Sequence, residues 1–360
     1  MRAARFYAAG DIRIEDVDPP QASEDKVLVE IEWCGICGTD LNEYLNGPYV
    51  IPNEKRGPHH LTGEMLPITM GHEFSGRVVR APSTSSLVPG QPVVADPRFY
   101  CSSCTACTKP ATNVCKYFGF LGLSGRGGGL SELVAVNPEM LYPLPDNVDL
   151  AAAALIEPLA VAWHAIRRSG IQDFKDIPIL VIGAGPVGVS TVFALKAEGA
   201  NMIIVSETAA SRREFLADVV YDALDPTKVD VGSKCRELTC GDGVGIVFDC
   251  AGVQTGFEAG CDSLRVHGIY VNLAIPKAPA RLPFEHFIPK ELTFKTFLAY
   301  DDIDFKEVVA AFSAGRFEGV ERMITRRVPL EDIVDKGFKE LTQNLGDHIK
   351  IMATPKKSNK

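Results

Sequence analysis

Cys101, Cys104, Cys107 and Cys115 follow one another as C-x2-C-x2-C-x7-C. A disulfide framework spreads its cysteines to close long loops, and these gaps are too short for that; they suit a bound metal. Four thiolates surround one zinc tetrahedrally and leave no position open for chemistry, so the expected role is structural. An iron–sulfur cluster is the weaker alternative, because no redox partner motif accompanies the cysteines. A second set of metal-ligand types is scattered: Cys37 in Cys34-Gly-Ile-Cys37-Gly-Thr-Asp40, His72 and Glu73 in Gly71-His72-Glu73, and Glu157 before Pro158. Singly, each has an ordinary reading as a hydrogen-bonded histidine or a surface glutamate. Together they offer one thiolate, one imidazole and two carboxylates, the mixed donor set of a catalytic zinc with an open position. Such an ion polarises an alcohol and lowers the pKa of its hydroxyl, as it lowers that of water from about 15.7 to about 7.

A third constellation is Gly183-Ala-Gly185-Pro-Val-Gly188. G-x-G-x-x-G alone is weak evidence, but here it follows the apolar run Ile179–Ile182 and opens an amphipathic stretch, Val189–Glu198, that Gly199 stops. Gly183 permits the tight turn, Gly185 lets the backbone approach a pyrophosphate, and Gly188 allows helix and strand to pack closely. The helix N-terminus then holds phosphate. Glu207 lies 19 residues after Gly188, at the end of the next apolar run, Met202–Val205. It is placed to accept both ribose hydroxyls and to repel a 2′-phosphate, which predicts NAD over NADP; Arg212 and Arg213 nearby argue in the other direction. Zinc beside a nicotinamide suits one reaction class, oxidation of an alcohol with hydride passing to the cofactor.

These residues need elements to position them. The chain has 360 residues, enough for two domains, with 46% hydrophobic and 23% charged residues, close to a globular average. The first part is β-rich: Val27–Trp33 alternates apolar and polar, and Gly76–Val79, Val93–Ala95 and Leu133–Val136 are short apolar runs, as in a small barrel or sandwich. The middle alternates buried-type strands (Ile179–Ile182, Met202–Val205, Ile246–Phe248, Ile269–Leu273) with helices, the pattern of a doubly wound parallel sheet. The last stretch has helix-like segments, Phe305–Gly315 and Leu330–Leu341, and short strands that could return to the first domain. Ile269–Leu273 is marked as a candidate pairing edge.

The net charge of −9, from 37 basic and 46 acidic residues, argues against a nucleic-acid partner. The most apolar stretch, Val148–Trp163, is broken by Glu157 and Pro158 and is too short for a membrane span. Arg2 and Arg5 precede no apolar segment and Asp11, Glu15, Asp16 and Asp18 follow, so no targeting peptide is read and the cytoplasm is the default address. Lys356, Lys357 and Lys360 are read as a solvated tail.

The motifs, in their order along nearly the whole chain, resemble the zinc-containing medium-chain dehydrogenase/reductase family. Within it, 41-LNEYLNGP-48, 61-LTGE-64, 71-GHEFSG-76, 248-FDCAGVQ-254 and 327-RVPLED-332 are most similar to the branch typified by (R,R)-2,3-butanediol dehydrogenases, with sorbitol dehydrogenases more distant. The resemblance implies a GroES-like β-barrel catalytic domain from residues 1–155 and 296–360, with the structural zinc lobe at 97–116, and an inserted Rossmann domain at 156–295. It implies Cys37, His72 and Glu157 as zinc ligands, and Glu73 as an occasional ligand or a neighbour of the ligands. Thr39 falls at the hydroxyl that takes the substrate proton. Val187 falls beside the pyrophosphate, Glu207 and Arg212 at the adenosine ribose, and Leu273-Ala274-Ile275 and Leu298-Ala299-Tyr300 at the nicotinamide end. The expected activity interconverts a secondary alcohol, such as the vicinal diol 2,3-butanediol, and its ketone, acetoin, with NAD(H), one catalytic and one structural zinc, in a homodimer or homotetramer. A polyol dehydrogenase, an alcohol dehydrogenase of a bulkier biosynthetic substrate, and a catalytically silent zinc- and nucleotide-binding protein are the alternatives.

Two departures from the family stand out. Relatives often carry a proton-relaying histidine where this chain has Asn42, which cannot titrate. The stretch Arg213–Val219 is several residues short, so the helix after Glu207 is expected to be truncated or re-registered. Cys34 is read as a buried thiol, His59 and His60 as exposed loop residues, Trp163 and His164 as packing, and Cys235, Cys240, Cys250 and Cys261 as ordinary thiols.

Overall fold

The structure, a computed structural model, describes residues 1–21, 23–276 and 278–356; of the basic tail, Lys357 and Lys360 lie outside them. The chain divides into two compact units. One holds Met1–Glu157, Asp301–Gly315 and the chain from Gly319 on; the other holds Pro158–Tyr300 with Arg316–Glu318.

The first unit opens with a hairpin of β1 (Arg2–Ala8) and β2 (Asp11–Asp16), followed by β3 (Val27–Gly35) and helix α1 (Gly38–Asn46). β4 (Ile68–Thr69), β5 (Glu73–Arg80), β6 (Pro92–Ala95), β7 (Arg98–Phe99), β8 (Gly119–Phe120), β9 (Leu133–Val136) and β10 (Leu141–Pro143) come next. The alternation read in β3 is real: Val27, Val29 and Ile31 are buried while Glu30 faces out. A one-turn helix α2 (Leu150–Ala153), capped by Asp149 at Ala151 N–H, leads into α3 (Ile156–Ser169), and the unit boundary falls inside α3.

The second unit is built on β11 (Ile179–Ile182), α4 (Pro186–Ala197), β12 (Ile203–Ser206), α5 (Ala210–Leu216), β13 (Asp222–Leu224), α6 (Val231–Leu238), β14 (Val244–Asp249), α7 (Gln254–Ser263), β15 (Leu264–Asn272), α8 (Phe284–Lys290) and β16 (Thr293–Thr296). Its six strands are all parallel, in the order β13-β12-β11-β14-β15-β16, the doubly wound arrangement whose order reverses between β11 and β14. All four β11 residues are buried, which is why that segment reads as an unbroken apolar run. The pairing edge expected at Ile269–Leu273 is corrected: β15 has β14 on one side and β16 on the other, and β16 is the outer strand. A short Thr-Phe-Lys-Thr segment lacks the periodicity that would have marked it. The helix after Glu207, α5, has seven residues and ends at Leu216, in keeping with the shortened stretch.

The chain then returns to the first unit with α9 (Asp302–Ser313), β17 (Ile324–Pro329), α10 (Glu340–Gln343) and β18 (Lys350–Thr354). β18 pairs antiparallel with β3 and parallel with β17, completing a sheet in the order β10-β6-β5-β3-β18-β17, with β9 also on β3. The helix-like stretch Leu330–Leu341 is not one helix. It winds as a 3-10 turn, a π turn and the start of α10, and a Cβ on Gly337 would come 2.9 Å from Ile36 and Ile333 carbons. Each unit has its own apolar core, around Phe6, Val29, Phe74 and Phe338 in the first and Leu180, Ile204, Val247 and Tyr270 in the second. Among the described residues no helix is long and apolar enough to cross a membrane.

Candidate metal and dinucleotide sites

The four-cysteine lobe runs between β7 and β8, which pair only with each other among the described strands and form a two-stranded ladder at its base. The Sγ atoms gather: Cys101–Cys115 and Cys104–Cys107 are 3.6 Å apart, Cys101–Cys107 and Cys104–Cys115 3.9 Å. Zinc–sulfur bonds of about 2.3 Å in a tetrahedron imply sulfur–sulfur edges of about 3.8 Å, so the residues fit the ion. The backbone N–H of Ser103 helps hold the Cys101 thiol down at about 6, while burial and the neighbouring sulfurs push Cys107 up to about 12. Four clustered thiols cannot all ionise without a cation between them. Arg98 anchors the lobe's base, donating to both oxygens of Asp96 and to Asp302 at 2.8 Å, and Tyr100 OH donates to Asp302 at 2.8 Å.

Cys37 sits immediately before α1. Asp40, in the helix's first turn and fully buried, accepts from Cys37 N–H at 3.0 Å and turns its other oxygen to His72 Nδ1 at 3.3 Å. Neither of those facing atoms has a formed hydrogen bond. A carboxylate on Nδ1 leaves Nε2 as the ligand atom, the usual arrangement behind a metal-bound histidine. His72 is delivered by Gly71 at φ +95°, where a Cβ would meet Cys34 Sγ at 2.7 Å and Leu130 at 2.8 Å. Ligand atoms of Cys37, His72 and Glu73 lie within 4.8 Å of one another. Burial alone would lower the His72 pKa, but the negative charges of Asp40 and Cys37 hold it well above the usual histidine range. The pocket thus favours a positive charge at its centre, and the donor set fits zinc. Glu157, buried in the first turn of α3, lies outside that group of three but within electrostatic reach of Lys350. Thr39 is half-buried in the first turn of α1, and Asn42 is exposed on the next.

Every residue singled out for the dinucleotide lies at or just past the carboxyl end of a parallel strand, where open α/β sheets bind ligands. After β11, Gly183 has φ +88° and a Cβ on Gly188 would lie 1.9 Å from Gly183 O. At Gly185 a Cβ would meet only Arg212 Nη1, at 3.9 Å, so this cradle is open to a phosphate. Val187 is in the first turn of α4. After β12, Glu207 accepts from Ala184 N–H at 2.6 Å and Ala209 N–H at 2.7 Å, tying the glycine turn to the start of α5. Arg213 is engaged elsewhere, with Asp225 at 2.9 Å and the carbonyls of Glu207 and Thr208 at 2.7 Å; Arg212 is the cation beside Gly185. After β14, Asp249 accepts from Ala251 and Gly252 N–H and from Tyr270 OH. After β15 and β16, Ile275 and Leu298 are exposed and Ala299 has φ +48°, whereas the Tyr300 side chain is fully buried and leaves only its main chain to a ligand.

Asp40 and Lys350 were missed by sequence reasoning. Asp40 had a local signal, an acid three residues after a candidate helix cap. Lys350 had none, for its partner Glu73 is on a different strand. The remaining residues behave as read except His59, expected to be exposed, which is half-buried edge-on against the Phe99 ring. Cys34 is a buried thiol, and all ten cysteines are free. His59 Nε2 lies 3.3 Å from Phe118 O in its loop, His60 stacks on Tyr117, and Trp163 and His164 are buried.

The chain is similar to known proteins along its whole length. Two family models match the chain, the alcohol dehydrogenase GroES-like domain over residues 23–146 and the zinc-binding dehydrogenase over residues 186–314. The chain is 36% identical to a Saccharomyces cerevisiae (R,R)-butanediol dehydrogenase, over 99% of this chain and 98% of the relative. It is 37% identical to the Bacillus subtilis (R,R)-butanediol dehydrogenase, over 99% and 100%. The crystal structure of 2R,3R-butanediol dehydrogenase from Bacillus subtilis superimposes with a TM-score of 0.91 at 36% identity, covering 99% of both chains.

Proposed function

The chain belongs to the zinc-binding alcohol dehydrogenases of the medium-chain dehydrogenase/reductase family, and from that premise we propose that it interconverts a vicinal diol such as 2,3-butanediol and the hydroxyketone acetoin with NAD(H). The observation that carries the reading is the convergence of half-buried Cys37 with buried His72 and Glu73, in a chain alike to butanediol dehydrogenases from end to end.

In this proposal Cys37, His72 and Glu157 hold the catalytic zinc and the four-cysteine lobe holds the structural one. The catalytic ion supplies Lewis acidity toward the substrate hydroxyl. Asp40 fixes the His72 ring and its tautomer. Thr39, at the start of α1, accepts the substrate proton and passes it toward solvent, a path that Asn42 cannot extend by titrating. Gly183, Gly185, Val187 and Gly188 cradle the pyrophosphate, and Glu207 with Arg212 meets the adenosine ribose, where the carboxylate disfavours a 2′-phosphate. Leu273–Ile275 and Leu298–Tyr300 line the nicotinamide end. The protein is a cytoplasmic homodimer or homotetramer in this reading. Ten free cysteines suit a reducing compartment, and β16, with Phe294 partly exposed, is the outer strand of its sheet among the described residues and offers that edge to a second copy.

The test is NADH formation, followed by absorbance, with each 2,3-butanediol stereoisomer and with sorbitol, with and without a zinc chelator. Chelator-sensitive reduction of NAD by one butanediol isomer is the expected result. Turnover of sorbitol alone moves the protein to the polyol branch. Zinc content and NAD binding without turnover of any alcohol would make it a silent binder.

A further inference from the structure

Glu73 has two competing partners. One of its oxygens converges with the ligand atoms of Cys37 and His72 within 4.8 Å, close enough to join a metal held there. Both of its oxygens are nevertheless taken by Lys350 Nζ, at 2.8 and 2.7 Å. The ammonium is itself pinned by a third bond to Ile36 O at 3.2 Å. The two side chains are 0% and 1% exposed, so little water screens the pair. The backbone makes room for them. Gly35 at the end of β3 pairs with Glu73 on β5 and with Met352 on β18, and a Cβ there would lie 2.3 Å from Glu73 Oε2 and 3.3 Å from Lys350 Cδ.

We propose that Lys350 is a positioning residue that tethers Glu73 away from the catalytic metal and so keeps one coordination position open for the substrate oxygen. This rests on the reading of Cys37, His72 and Glu157 as the ligands. Three protein ligands leave a tetrahedral zinc one vacant place, and catalysis needs that place. A fourth ligand group that is anionic and within reach is drawn to the cation unless another positive charge holds it. Lys350 is that charge, and its three bonds fix where Glu73 points. Without Lys350, Glu73 is a buried unpaired anion, a costly state whose nearest relief is the metal.

The test uses the metal-loaded enzyme with zinc replaced by cobalt(II), whose visible absorption weakens when a four-coordinate site becomes five-coordinate. In Lys350→Met the catalytic-site cobalt bands weaken, metal release from that site to a chelator slows about tenfold, and kcat falls about tenfold. The double variant Lys350→Met, Glu73→Gln removes the tether and the freed anion together, and returns both the bands and the release rate to those of the parent. An unchanged four-cysteine cobalt signal reports that each variant is folded. A Lys350→Met enzyme with the parent's spectrum and release rate overturns the proposal, as does a double variant that stays like the single one. If Cys37→Ala leaves the parent's cobalt spectrum and metal content unchanged, the ligand assignment itself fails and the tether falls with it.

Discussion

Asp40 illustrates how much a single buried side chain can decide. Its two oxygens face Cys37 N–H and His72 Nδ1, so one carboxylate orients two of the proposed metal ligands. Asp40→Asn keeps the shape and removes the charge. It is expected to weaken zinc retention or activity by about 10–100-fold, read by chelator competition alongside kcat/KM. Unchanged retention would mean that His72 is oriented by packing alone. Asn42 makes the opposite kind of prediction. It is exposed, with Oδ1 3.5 Å from Asn46 Nδ2, and it carries no titrating proton. An imidazole there is neutral and able to accept a proton above a pH of about 6.5. Asn42→His is therefore expected to raise kcat above that pH and leave it unchanged below. A pH profile of the parent's shape would count against a relay through this position. Ligand types were legible at this scale because the chemistry dictates them: a thiolate, an imidazole and carboxylates are few enough to notice. Lys350 was not legible, because nothing around it marks it and its partner comes from another strand.

Among the elements, the glycine turn between β11 and α4 carries the sharpest constraint. Gly188 has no room for even a methyl group, since its Cβ would lie 1.9 Å from a backbone oxygen that cannot swing aside. Gly188→Ala is expected to destabilise the second unit by about 1–3 kcal/mol and to weaken NAD binding, measured by thermal unfolding and by NADH titration. Wild-type values for both would mean that the turn is looser than its geometry implies. The main elements around this turn could be read from the chain because burial on both faces writes an unbroken apolar run, as in β11. β16 was not legible, since its exposed Thr-Phe-Lys-Thr carries neither alternation nor an apolar run. The stretch Leu330–Leu341 had helical periodicity, yet its close approach to Ile36 at Gly337 accompanies a mixed winding that periodicity does not encode.

For the whole molecule, the telling fact is two separate cores in one chain. The proposed zinc sites belong to the first unit and the proposed dinucleotide cradle to the second. Calorimetry of the metal-loaded enzyme is therefore expected to show two transitions. A chelator lowers the one belonging to the first unit. NADH at a hundredfold excess over its Kd stabilises the second by about 2.7 kcal/mol and raises its transition. A single transition that moves with both additions would mean that the units unfold as one.

Sequence alone determined the kinds of chemistry available and the local elements that bear them. The cysteine spacing, the glycine motif after an apolar strand and the order of the motifs are local or serial properties, and periodicity reports burial directly. Tertiary structure decided which charges meet. Asp40 with His72, Lys350 with Glu73, and Glu207 with Ala184 N–H are pairs formed across elements. So was the return of β18 to β3, which carries Lys350 to the cluster of Cys37, His72 and Glu73. Such pairings depend on how sheets register in space, where residues hundreds of positions apart become neighbours, and no pattern within either segment specifies its partner.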